Sequence, residues 1–98
     1  MTINSKLNES VLNVELEGRL DTTTAPELEA ELSKFNDQAT EVVFDFSKLE
    51  YISSAGLRVL LSEQKLMNKK GKMTIKNVNA TVMEVFEITG FVDILTIE

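Results

Sequence analysis

Between Asp45 and Leu57 the chain reads Asp45-Phe46-Ser47-Lys48-Leu49-Glu50-Tyr51-Ile52-Ser53-Ser54-Ala55-Gly56-Leu57, a strand, a loop and a helix start that bears two adjacent hydroxyls. Two chemistries suit a serine at this place. One is local: its side-chain oxygen accepts an N–H from the first turn of the helix, the ordinary role of an N-cap serine. The other is covalent: a second enzyme adds a phosphate, whose dianion meets the positive end of the helix and its free N–H groups, so the domain accepts the modification without unfolding. A partner that buries this helix start then loses the hydroxyl and has to take in about −1.5 to −2 charges. Nucleophilic catalysis by either serine is a poor fit, because the 98 residues include no His and no Cys. That removes the usual general base, both Ser-His and Cys-His dyads, and the commonest metal ligands. Asp45, a single carboxylate near Ser47, falls short of an oxygen-ligand cluster and is expected to face a sheet edge or cap the following loop. No metal or cofactor site is expected, and Gly56 and Gly90 are not a phosphate-cradling loop.

The elements that must position these hydroxyls follow from hydrophobic period and punctuation. Leu12, Val14 and Leu16 alternate with Asn13, Glu15 and Glu17, the pattern of a strand with one wet face, and Ile3 to Leu7 is a weaker version before the turn at Asn8-Glu9-Ser10. Together they predict an opening hairpin. Thr24-Ala25-Pro26-Glu27 supplies an N-cap candidate, a first-turn Pro and an acid, ahead of a stripe of Ala25, Leu28, Leu32 and Phe35. Val42, Val43, Phe44 and Phe46 suit a central strand covered on both faces, with Ser47 to Ile52 as the loop after it. A second helix begins near Ser53 or Ser54, buries Leu57, Leu60, Leu61 and Met67, and closes at Asn68-Lys69-Lys70-Gly71 with cations near its last carbonyls and Gly71 just past its end. Met73 and Ile75 give a short strand, Asn79 to Thr89 a third helix with Val82, Met83, Val85 and Phe86 on its face, and Asp93 to Ile97 a last strand. The order ββαβαβαβ predicts an α/β fold, a mixed sheet with helices packed on it in one domain over residues 1–98. In such sheets function gathers beyond the strand carboxyl ends, here the segments Gly18 to Thr24 and Ser47 to Gly56.

Charge narrows the partners. Ten Lys and Arg stand against 16 Asp and Glu, a net charge of −6, and a negative field repels nucleic-acid backbones and anionic lipid. A protein surface is the expected partner. No apolar run approaches a membrane span and the first residues lack a signal-peptide layout, so the expected compartment is the cytoplasm.

The Asp45–Leu57 segment, together with Gly18-Arg19-Leu20-Asp21 and Thr24-Ala25-Pro26 upstream, resembles the STAS domain family, specifically the bacterial anti-sigma factor antagonists. The resemblance covers essentially the whole chain and implies a non-enzymatic partner switch. The serine matching the family's modified position is Ser54. It implies phosphorylation there by a partner that is both anti-sigma factor and serine protein kinase, and reversal by a PP2C-type phosphatase. Unphosphorylated, such a protein binds the anti-sigma factor and frees sigma; phosphorylated, it does not. Asp21, Thr22, Thr23, Ser53, Ser54, Gly56 and Arg58 are the implied partner-binding residues, and the free domain is expected to be monomeric. The sequence departs from the family's best-known members at Ser53, where they carry Asp, which leaves Ser53 as the alternative phosphorylation site. It departs again at Arg19, where many carry Glu; that cation either pairs with the phosphate or is a solvated rim charge. Two other readings are a structural STAS module of a transport complex or scaffold whose serine only caps the helix, and an autonomous enzyme. The missing His and Cys disfavour the second of these.

Overall fold

The computed structural model describes residues 1–98. Strands β1 (Thr2–Asn8) and β2 (Val11–Leu20) form the expected hairpin, followed by helix α1 (Ala25–Ser33), strand β3 (Glu41–Ile52), helix α2 (Ser54–Lys70), strand β4 (Lys72–Lys76) and helix α3 (Ala80–Thr89). The sheet runs β1-β2-β3-β4. The first pair is antiparallel, and the helical crossovers make the other two pairs parallel. It is the mixed α/β sheet that the periodicity predicts.

The alternation of side chains decides where the core lies. Leu12, Val14 and Leu16 on β2, Val42, Phe44 and Phe46 on β3, and Met73 and Ile75 on β4 are all essentially inaccessible. The register sets them in cross-strand rows, with Leu12 beside Val42 and Met73, and Val14 beside Phe44 and Ile75. Leu28 and Leu32 of α1, Leu57, Leu60 and Met67 of α2, and Val82 and Phe86 of α3 close over them. Each such Leu or Phe contributes about 1.5–3 kcal/mol of burial. The expectation of a strand covered on both faces is corrected here. Val43 and Asp45 line an open, polar depression with Asn13 and Glu15 on the other face of the sheet, where the adjacent ion pairs Glu15–Lys48 and Glu41–Lys72 also fall. Val43 therefore extends the apolar run without adding a second core.

The expected loop from Ser47 to Ile52 is also strand. Two register shifts leave β3 with an extra residue between the Glu15–Asp45 and Glu17–Lys48 pairs and another between Gly18–Leu49 and Arg19–Tyr51. Each bulge moves the next inward residue from two to three positions along, so Phe46, Leu49 and Ile52 are all buried despite their spacing. The strand continues, but its period of two is hidden. Asp45 holds the first bulge: its carboxylate accepts the Ser47 N–H at 2.9 Å and the Asn77 amide at 3.1 Å. Burial tends to raise the pKa of Asp45, but those hydrogen bonds and nearby Lys76 outweigh it and hold the carboxyl below its ordinary range.

The last strand, expected from Asp93 to Ile97, is reduced to one bridge. A 3-10 turn at Phe91–Asp93 hydrogen-bonds the N–H groups of Asp93, Ile94 and Leu95 back to Gly90 and Phe91. Only Thr96 to Glu98 reach β4, through a parallel bridge between Ile97 and Ile75. Gly71 ends α2 for a different reason from the expected one. Its backbone is extended, and a Cβ there would sit 1.8 Å from the carbonyl oxygen of Thr40, so close approach requires glycine.

Candidate functional site

The parallel strands β2 and β3 end side by side, with Leu20 opposite Ile52, and the Ser53 N–H donates to the Leu20 carbonyl at 2.9 Å. That bond fixes where α2 starts. Gly56, in the first turn, then packs down on the strand ends. A Cβ at this position would lie 2.7 Å from Leu20 Cγ and 2.9 Å from Ile52 Cγ1, so a larger residue would lift the helix. Gly56 is buried; it sets the height of the site and does not form its outer surface.

The two serines have unlike surroundings. Ser53 is the N-cap residue by backbone conformation, yet its hydroxyl makes no cap bond and its oxygen is buried without a partner. Ser54 is the first helical residue and is exposed. The expectation that a serine side chain caps α2 is thus overturned. The Ser53 hydroxyl is buried and bonds to none of the N–H groups that a cap would meet.

The neighbouring segment Asp21–Thr24 is closed by its own side chains. Asp21 Oδ1 accepts the N–H groups of Thr23 and Thr24 at 3.0 and 3.1 Å, while Thr24 Oγ1 accepts the Asp21 N–H at 2.9 Å and donates to the Arg19 carbonyl at 2.8 Å. The bond from the Thr24 N–H leads in holding the Asp21 carboxyl below its ordinary range; desolvation, the next largest influence, opposes it, and the Thr23 N–H, the Thr24 hydroxyl and the Arg19 charge add to the lowering. Asp21 thereby shapes the segment, and Thr22 and Thr23 stand exposed on it. Thr24, singled out in the sequence as a cap for α1, ties the segment to β2 and makes no cap bond of its own.

Between the two segments lies an open groove of about 230 Å³, with Thr22, Pro26 and Glu29 on one wall and Ala55, Arg58 and Val59 on the other. Arg58 is exposed and lies one turn after Ser54. The fold thus brings Thr22, Ala55 and Arg58 together beside Ser54. Pro26, read in the sequence only as part of a helix start, and Glu29, which no sequence signal singled out, join them. Arg19 does not line the groove: its guanidinium sits 4.5 Å from the centre of the Tyr51 ring, an arrangement that cation–π attraction favours. No helix in the chain is long and apolar enough to cross a membrane.

The sequence model of the STAS domain family matches residues 2–98. The chain belongs to the STAS domain family. Among its relatives, a candidate anti-sigma factor antagonist of Bordetella bronchiseptica, BtrV, is 42% identical over 84 residues, covering 84% of this chain and 72% of that protein. The anti-sigma-B factor antagonist of Bacillus subtilis is 28% identical over 98 residues, covering 99% of this chain and 90% of its own. Among solved structures, the anti-sigma factor antagonist SpoIIAA in its unphosphorylated form superposes with a TM-score of 0.86 at 19% identity, over 99% of this chain and 88% of that one. The Bacillus SpoIIAA in its phosphorylated form gives 0.77 at 19% identity, over 99% and 91%. At that identity the likeness is one of fold.

Proposed function

We propose that this STAS domain is an anti-sigma factor antagonist whose binding is switched at Ser54. With Ser54 unmodified it captures, in the cytoplasm, an anti-sigma factor that is also a serine kinase, and a sigma factor is released. The kinase then transfers the γ-phosphoryl group of ATP to Ser54 Oγ; the hydroxyl proton leaves and ADP departs. A PP2C-type phosphatase hydrolyses the ester and restores the hydroxyl. The partner surface comprises Thr22, Thr23, Ser54 and Arg58, with Asp21, Ser53 and Gly56 holding it in shape.

The observation that carries this reading is the contrast between the adjacent serines. Ser54 offers an exposed hydroxyl beside a groove, on a helix end that tolerates a dianion, whereas the Ser53 oxygen is buried. Adding a phosphate to Ser54 leaves the core untouched and changes only the surface that a partner meets. The names of the relatives supply the partner class.

Immobilised wild-type protein and Ser54→Asp, exposed to lysate of the source cell, test the proposal. Wild type is expected to retain a protein with a kinase-type ATPase domain, identified by mass spectrometry, and Ser54→Asp to lose it. A negative charge at the first helical position favours the helix, so that loss would not come from unfolding. Equal retention by both proteins would contradict the switch.

A further inference from the structure

We propose that the phosphate on Ser54 folds back along α2 and pairs with Arg58, an inference that rests on the reading of Ser54 given above. Residues four apart on a helix lie about 5–6 Å apart at their Cβ atoms, and the favourable order places the anion toward the N-terminus and the cation toward the C-terminus. Ser54 and Arg58 have that spacing and that order, and both are exposed. Arg58 is also uncommitted. The molecule's ion pairs are Lys34–Glu31, Lys48–Glu15 and Lys72–Glu41, so Glu29 across the groove holds no bond to Arg58 within 4.0 Å. The other nearby cation, Arg19, is stacked on Tyr51. No acidic residue stands in the first turn of α2 to compete for Arg58. A guanidinium matches a phosphate with two parallel N–H donors.

Phosphorylation then alters the groove twice. It places a dianion at its rim, and it withdraws the Arg58 cation from any acidic group of a partner. Arg58 acts here as a positioning residue, setting where the phosphate lies.

Phosphoserine installed at position 54 during translation tests the pair without any cellular kinase. The second ionisation of the phosphate, which lies near pH 6 when unperturbed, is followed by phosphorus NMR in the otherwise wild-type protein, Arg58→Gln, Arg58→Lys and Arg19→Gln. The expected result is a pKa lower by about 0.3 unit or more in wild type than in Arg58→Gln, partial recovery in Arg58→Lys, and no change in Arg19→Gln. Amide spectra of each variant establish that the fold is intact. Coincident titrations of wild type and Arg58→Gln would overturn the inference, as would a shift that follows Arg19 instead. Failure of a kinase to modify Ser54 would count against the proposed switch and leave this result standing.

Discussion

Helices α1 and α2 both begin where a parallel strand ends, with four residues between β2 and α1 and one between β3 and α2. At the first, Asp21 and Thr24 use their side chains on neighbouring main-chain groups, and the segment is closed on itself. At the second, the cap position is held by a serine whose hydroxyl bonds to nothing, and the exposed residue after it is again a serine. The start of α3 resembles the first case: Asn79 accepts the Val82 N–H at 2.8 Å and donates to the Leu49 carbonyl at 2.6 Å. A side-chain cap is worth about 1 kcal/mol, so α2 forgoes stability that α3 keeps through Asn79. A helix start can thus be held without a side-chain cap, here by the close approach at Gly56 and the Ser53–Leu20 bond, with the Ser54 side chain left exposed.

The sharpest way to break the contrast is to remove the close approach that fixes α2. Gly56→Val places new atoms against Leu20 and Ile52, and urea unfolding is expected to show a loss of roughly 2–3 kcal/mol. Removing a working cap comes next: Asn79→Ala is expected to cost about 1–2 kcal/mol by the same measurement, since both of its hydrogen bonds go. Asp21 supplies a pH-dependent version. Its folded pKa is depressed, so its stabilisation is complete above the ordinary value of 3.8 and is lost as pH falls through the lower folded value. Wild type should therefore lose more stability than Asp21→Asn over that acid range, read from thermal unfolding at a series of pH values.

The serines give the smallest effects and the clearest contrast with Asn79. Ser53→Ala removes a buried, unpaired oxygen and is expected to be neutral or to stabilise by up to about 1 kcal/mol. Ser54→Ala removes an exposed hydroxyl and should change stability by less than about 0.5 kcal/mol. A cap-sized loss in Ser54→Ala would return that residue to a purely structural role.

Much of this was legible from residue types. The hairpin, the three helices and the strand alternation followed from Leu12, Val14 and Leu16, from the Leu57–Leu60–Met67 stripe and from Val82 and Phe86. Between Ser47 and Ile52 the signal failed, because bulges turn a period of two into a spacing of three and an irregular strand then looks like a loop. At the C-terminus, Ile94 and Leu95 satisfy strand propensity, but the 3-10 turn has already used their N–H groups. The site divides in the same way. The hydroxyl pair was visible in sequence; which hydroxyl points outward was not, since that depends on the strand-end bond from Ser53 to Leu20. Arg19 over Tyr51 left no trace in spacing, as the pair is made by cross-strand register.

Phosphosite mapping decides whether Ser54 is the switch. Wild-type protein and Ser54→Ala are incubated with ATP and lysate of the source cell, then measured by intact-mass and fragment mass spectrometry beside a control kinase substrate. One phosphate on Ser54, absent from Ser54→Ala, is the predicted result. A phosphate on Ser53, or none on the domain while the control is modified, would contradict it.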